Sequence, residues 1–270
     1  MAKTIMLIHG AWLSPACWDR FKSRYEAMGL TVLAPAWPFD DRPIAQLRAH
    51  PRPALATLTI EQIVDHYAGL IGRMEEPPIL IGHSFGGLFV QLLLDRGLGA
   101  AGVAIDPAAP KGVPPSLSAL WGALPVFLKW RGWQRTLTLT LRQFSWAFVQ
   151  TEPSAQQQRY FRDYLVPTPG RLYYQSAAGI QTEVNFTNPR RAPLLLISGD
   201  QDRTVTPRMV EKVYRKHLAS GAVTDFKQFA GRPHLLIATP GWEEVADHAL
   251  HWALRHSNRN AVTGDLAAVA

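Results

Sequence analysis

The sequence predicts an α/β protein built on a mostly parallel sheet with helices on both sides, and three observations carry that prediction. Six short apolar runs alternate with segments whose apolar residues recur at helical spacing. Several runs are apolar at consecutive rather than alternate positions, as parallel strands covered on both faces require. One run, Ile79–Ile81, passes into Gly82-His83-Ser84-Phe85-Gly86, a sequence suited to an abrupt change from strand to helix.

Taken in order, Thr4–Ile8 opens the chain as a strand. Only Lys3 supplies a charge before it and polar His9 interrupts it, so the run is too short for a signal peptide's apolar region or a membrane span. A helix follows over Cys17–Met28 and a strand over Thr31–Pro35. Between Asp40 and Leu58 stand Pro43, Pro51 and Pro53, with Pro38 just before, and this density predicts a long surface loop. Then come a helix over Ile60–Met74, the strand Ile79–Ile81, a helix over Ser84–Asp95 and a strand over Gly102–Ile105.

At this point the alternation breaks. Asp106 to Arg191 holds Trp121, Trp130, Trp133 and Trp146 among many other aromatics, which is too apolar for a disordered linker and predicts several helices inserted between two strands. The pattern resumes with a strand at Leu194–Ile197, a helix at Pro207–Leu218, a strand at Thr224–Phe229 and a helix at Trp242–Arg255. The expected organisation is a core of residues 1–106 and 192–256, an insertion over 107–191, and a small, polar, frayed tail over 257–270.

Composition narrows the setting. A chain of 270 residues accommodates one large domain with an insertion, and its single cysteine, Cys17, rules out an internal disulfide and gives no metal-ligand spacing. A cytoplasmic protein is the expectation. The net charge of +7 is concentrated in the insertion, where residues 107–190 carry nine cationic against three acidic side chains. These arginines stand singly among aromatics and read as the solvated faces of helices, so no nucleic-acid partner is expected. The expected partner is a small-molecule substrate, with a homodimer possible.

The chemistry centres on Ser84. In a sharp strand-to-helix turn the corner residue is strained, and the positions two before and two after come too close to other backbone for a side chain. Gly82 and Gly86 meet that demand, and the turn lifts the Ser84 hydroxyl above the sheet beside a helix N-terminus. Gly-x-Ser-x-Gly also arises by chance, but here it has the strand before it and the helix after it that the mechanism needs.

A serine nucleophile requires a base, and the base requires an acid to hold it. On this type of scaffold the chain order is serine, acid, histidine. Asp202, after the strand Leu194–Ile197, is the candidate acid. Asp200, directly after Gly199, suits a turn, and Asp106 reads as structural at the entrance to the insertion. His234, in the loop after Thr224–Phe229, is the candidate base. His217, His248, His251 and His256 fall on helices, and His50 and His66 precede the relevant edge. His83 reads as structural, and His9 as a brace for its loop. The oxyanion donors are the N–H groups of Phe85 and Ala11, with Gly10 permitting close approach; losing one such donor costs about 3–4 kcal/mol of transition-state stabilisation.

The segments "HGAW", "GHSFGG", "GDQDRTV" and "GRPH" stand in the order found in the α/β-hydrolase superfamily, which the chain resembles over nearly its whole length. The resemblance implies an α/β-hydrolase fold, a serine hydrolase without metal or organic cofactor, and a helical cap inserted after strand six. It also implies that the usual first hairpin is missing, as in the compact methylesterase and hydroxynitrile lyase branch. Gly10, where those lyases usually carry threonine, and Leu235, where they carry lysine, weaken the lyase reading, and Ser84 argues against haloalkane dehalogenases. The aromatic cap segments "FSWAFVQTEPS" and "VPTPGRLYYQSAAG" are similar to those of a bacterial set. The expected activity is therefore cleavage of a carboxylic ester or lactone of an apolar or aromatic small molecule, with Trp12, Phe85, Trp121 and Trp146 as pocket walls. The alternative is a lyase or cofactor-independent oxygenase that uses His234 as a base on the substrate.

Overall fold

A computed structural model describes residues 4–257. Its first half alternates β1 (Thr4–Ile8), α1 (Asp19–Glu26), β2 (Thr31–Leu33), α2 (Ile44–Ala49), α3 (Ile60–Ile71), β3 (Ile79–His83), α4 (Phe85–Asp95) and β4 (Ala101–Ile105). Between β4 and the next core strand lie α5 (Leu117–Phe127), β5 (Thr136–Leu137), α6 (Leu141–Phe148), α7 (Ser154–Tyr164), β6 (Thr168–Pro169) and α8 (Arg171–Ala178). The core then closes with β7 (Leu194–Gly199), α9 (Pro207–His217), β8 (Thr224–Phe229) and α10 (Trp242–Ser257). The expected tail falls almost wholly on residues 258–270, outside the described residues.

Six strands form one sheet in the order β2-β1-β3-β4-β7-β8, every neighbouring pair parallel. The consecutive apolar residues have the cause assigned to them: all five residues of β3 and of β4, and all six of β7, are buried, because helices cover the sheet. Helix α4 packs on β3 and β4, α9 on β7 and β8, and α10 on β3, β4 and β7. Local signals set the helix ends. Thr59 and Gln62 make a reciprocal capping box at the start of α3, Pro207 occupies the first turn of α9, and α10 begins with Glu243 and Glu244 and ends with Arg255 and His256.

The register matters most for function. Ile8 of β1 lies opposite Gly82 of β3, His83 opposite Ile105 of β4, and Gly199 of β7 opposite Phe229 of β8. The carboxyl ends of these strands are therefore level, and the loops that leave them share one rim of the sheet, where open parallel sheets bind ligands.

The proline-rich stretch departs from its expectation as a plain surface loop. Residues 44–49 form α2 and Pro53–Thr57 a 3₁₀ turn, and Leu47, Leu55 and Leu58 are buried. Proline breaks a helix interior but suits its first turn, and here Pro43 and Pro53 start these short helices. Arg48 then ties the stretch to the insertion, its guanidinium donating to the carbonyls of Leu165 (2.6 Å) and Phe161 (2.7 Å).

At the head of this stretch Asp40 is buried, with Oδ1 unpartnered. Burial, reinforced by the charge of Asp41, pushes its pKa up to about 7 from 3.8. The folded state thus keeps a proton that the unfolded chain releases at lower pH, so stability is lost as pH rises from 4 to 7. Asp40→Asn is expected to exceed the wild type in urea-unfolding stability by up to about 4 kcal/mol at pH 8, with the difference vanishing below about pH 4. A difference that stays constant across pH would remove the carboxyl's titration as its cause.

Candidate active site

Ser84 connects β3 to α4 with φ 56° and ψ −120°, a backbone conformation that L-residues avoid. The strain is held from several directions. The Ser84 N–H donates to the Ile105 carbonyl (2.9 Å), and its own carbonyl accepts from Gly87 (2.9 Å), Leu88 (3.2 Å) and Ala108 (2.9 Å). The glycines around it are required by space: a Cβ on Gly82 would fall on the Gly86 carbonyl, and one on Gly86 on the Ile8 carbonyl. A Cβ on Gly10 would stand 2.7 Å from Ser84 Cβ, so the β1 loop passes directly against the serine.

His234 and Asp202 are brought together by the loops after β8 and β7. The His234 Nδ1–H donates to Asp202 Oδ2 at 2.5 Å, and both side chains are fully buried. Asp202 Oδ1 accepts from the backbone N–H groups of Thr204 (2.6 Å) and Val205 (2.8 Å), which fixes the carboxylate. The imidazole is held from behind by His83, whose Nε2–H donates to the His234 carbonyl at 2.7 Å, and from the side by the Phe148 ring, edge-on at 5.0 Å. The Nε2 of His234 is buried and has no hydrogen-bond partner, and no hydrogen bond joins it to the Ser84 hydroxyl. Without substrate such bonds are often open and tighten only in the complex.

The other candidates fall elsewhere. Asp106, at φ 40°, uses Oδ1 to accept from the Gly199 N–H at 2.9 Å, while its Oδ2 is unpartnered. Burial, then the nearby Asp202 charge, pushes the Asp106 carboxyl well above the usual carboxylate range. Asp200 lies in the β7 turn, its N–H donating to the Phe229 carbonyl. His9 is buried, stacks on Trp37 and donates from Nδ1 to the Gly10 carbonyl; burial lowers its pKa to about 4, which keeps it neutral. Among the described residues the Ala11 and Phe85 N–H groups find no backbone acceptor.

A cavity of about 550 Å³ opens above Ser84. Trp12, Ser84 and Phe85 line it from the sheet rim, Thr204, Val205 and Met209 from the β7–α9 side, and Ala119, Ala123, Phe127 and Tyr173 from the insertion. Two expected walls are corrected. Trp121 is 65 % exposed and lines no part of the cavity, because the helical turn directs small Ala119, Gly122 and Ala123 inward and Trp121 outward. Trp146 lines a separate shallow hollow with Leu141 and Gln150, under the Arg203 guanidinium. Sequence reasoning did not single out Tyr173, Phe127 or Met209 as walls, since nothing local marks which side of an apolar helix meets the cavity.

His83, Asp106 and His234 also bring one potential metal-ligand atom each within 4.8 Å of one another, the one such grouping among the described residues. One nitrogen of each ring is already committed, His83 Nε2 to a carbonyl and His234 Nδ1 to Asp202. A metal would have to use the remaining nitrogens, including the His234 Nε2 that faces no protein partner.

A family model described as "Alpha/beta hydrolase family" matches residues 5–248. Among solved structures the chain is similar to a monoacylglycerol lipase of Paleococcus ferrophilus, at 19 % identity and a TM-score of 0.66 over 95 % of this chain and 96 % of that one. It is similar also to an extracellular alpha/beta-hydrolase from a Paenibacillus species (20 %, TM-score 0.64, 93 % and 98 % covered). A third is tomato methylketone synthase I in complex with 2-tridecanone (13 %, TM-score 0.69, 95 % and 99 % covered). At these identities the likeness is one of fold. No curated protein matches the sequence.

Proposed function

The chain belongs to the alpha/beta hydrolase family, and on that footing we propose that it is a serine hydrolase that cleaves a carboxylic ester or lactone of an apolar small molecule. The observation that carries the reading is the buried His234–Asp202 pair on the same rim as the strained Ser84, under an apolar cavity.

In this reading Ser84 Oγ attacks the substrate carbonyl while His234 Nε2 takes its proton, and Asp202 stabilises the imidazolium through Nδ1. The N–H groups of Phe85 and Ala11 hold the tetrahedral oxyanion. The imidazolium then protonates the leaving alcohol. Water enters, gives a proton to Nε2 and attacks the acyl-enzyme; the imidazolium then returns that proton to Ser84 Oγ as the acid departs. The inserted helices act as a cap whose small inward residues leave room for the substrate and whose Phe127 and Tyr173 meet it. A fluorophosphonate probe is expected to add one equivalent to the protein at Ser84, mapped by peptide mass spectrometry, and to abolish p-nitrophenyl ester turnover. Failure of the probe to label Ser84 alongside cyanide release or oxygen uptake from a trial substrate would favour His234 acting as a base directly on the substrate.

A further inference from the structure

Helix α5 is apolar on every side. Ala119, Gly122, Ala123 and Phe127 face the cavity, whereas Leu117, Trp121, Leu124 and Leu128 recur at helical spacing on the opposite face. That outer face stands in solvent, with Leu117 86 % and Leu128 74 % exposed, and Trp130 at 78 % and the exposed Trp133 extend it past the helix end. Single exposed apolar side chains are ordinary, but a contiguous strip of this kind marks an interaction surface.

Charge selects the occupant. Lys129, Arg131 and Arg135 are exposed beside the strip, and residues 107–151 contain no Asp or Glu at all. A second copy meeting this strip about a two-fold axis would set cation against cation with no acid to offset it. A nucleic-acid backbone would satisfy the cations and leave the leucines in water. An anionic lipid surface satisfies both, with leucines at the acyl boundary, tryptophans at headgroup level and cations at the phosphates. Among the described residues no helix is long and apolar enough to cross a membrane, so the contact lies on the surface.

We propose that the outer face of α5, whose inner face lines the cavity, and the segment to Arg135 dock this protein onto anionic lipid bilayers. The docking rests on surface chemistry and not on the acyl-transfer reading, so either can fail without the other.

The test is co-sedimentation of the full chain with phosphatidylcholine vesicles, with and without about 30 % phosphatidylglycerol. Binding is expected to be at least about tenfold tighter to the anionic vesicles, to weaken as salt is raised, and to shift tryptophan emission to the blue. Leu117→Ser with Leu128→Ser and Trp130→Ser is expected to abolish binding. Lys129→Glu with Arg135→Glu is expected to reduce it by about tenfold or more. Unchanged circular dichroism and melting would show that both variants fold. Absence of binding to anionic vesicles would overturn the proposal, as would binding that survives the apolar triple substitution. Dimerisation lost in the triple variant, with no vesicle binding, would assign the strip to a second copy instead.

Discussion

Ser84→Ala is expected to lower turnover of a p-nitrophenyl ester by about 10⁶-fold while the protein stays folded, since in the proposed mechanism the serine, histidine and aspartate act as a unit. The fold survives because Ser84 contributes only backbone to its surroundings: its N–H and carbonyl make four hydrogen bonds, and its hydroxyl makes none among the described residues. A companion variant separates chemistry from strain. Ser84→Gly removes the same hydroxyl but relaxes the φ of 56°, so it should be equally inactive and more stable by about 1 kcal/mol in urea unfolding. Equal activity of the wild type and Ser84→Ala would remove this hydroxyl from the reaction.

Asp202→Asn is the second large effect, expected at about 10⁴-fold in kcat with little change in KM. Thr204 and Val205 donate to Oδ1, so the amide oxygen of the asparagine is drawn to that side and its NH₂ faces His234. The imidazole must then accept at Nδ1 and carry its proton on Nε2, where it can no longer receive the proton of Ser84. Asp106 is a useful contrast, since His234 Nδ1 bonds to Asp202 and the Asp106 Oδ1 is engaged by the Gly199 N–H. Asp106→Asn should leave kcat within about tenfold of the wild type. The opposite order of effects would move the acid from the β7 loop to the end of β4.

What the sequence discloses about this molecule depends on how local the cause is. The strands were legible because burial on both faces leaves consecutive apolar residues in the chain itself, as in Ile79–Ile81. The elbow was legible because the space allowed to Gly82 and Gly86 is fixed by residues close to them or by one neighbouring strand. The cavity walls were not, because α5 is apolar all round and only its packing against α6 and α8 decides which side is inner. The segment from Asp40 to Leu58 misled for a related reason: proline content identifies where helices cannot run through but not where short ones begin. Asp106 and Asp202 are each an aspartate near the end of a core strand, and the choice between them needed the reach of His234.

Trp12 links the two halves of the molecule in a way that bears on how substrate enters. It sits in the loop after β1 at φ 60°, and three bonds fasten it to the insertion: its N–H to Thr168 Oγ1 (3.2 Å), its indole N–H to the Leu137 carbonyl (3.3 Å), and its carbonyl to the Val166 N–H (3.0 Å). Swinging the whole insertion outward on a hinge would therefore break these bonds or pull the loop that lies against Ser84 out of place with it.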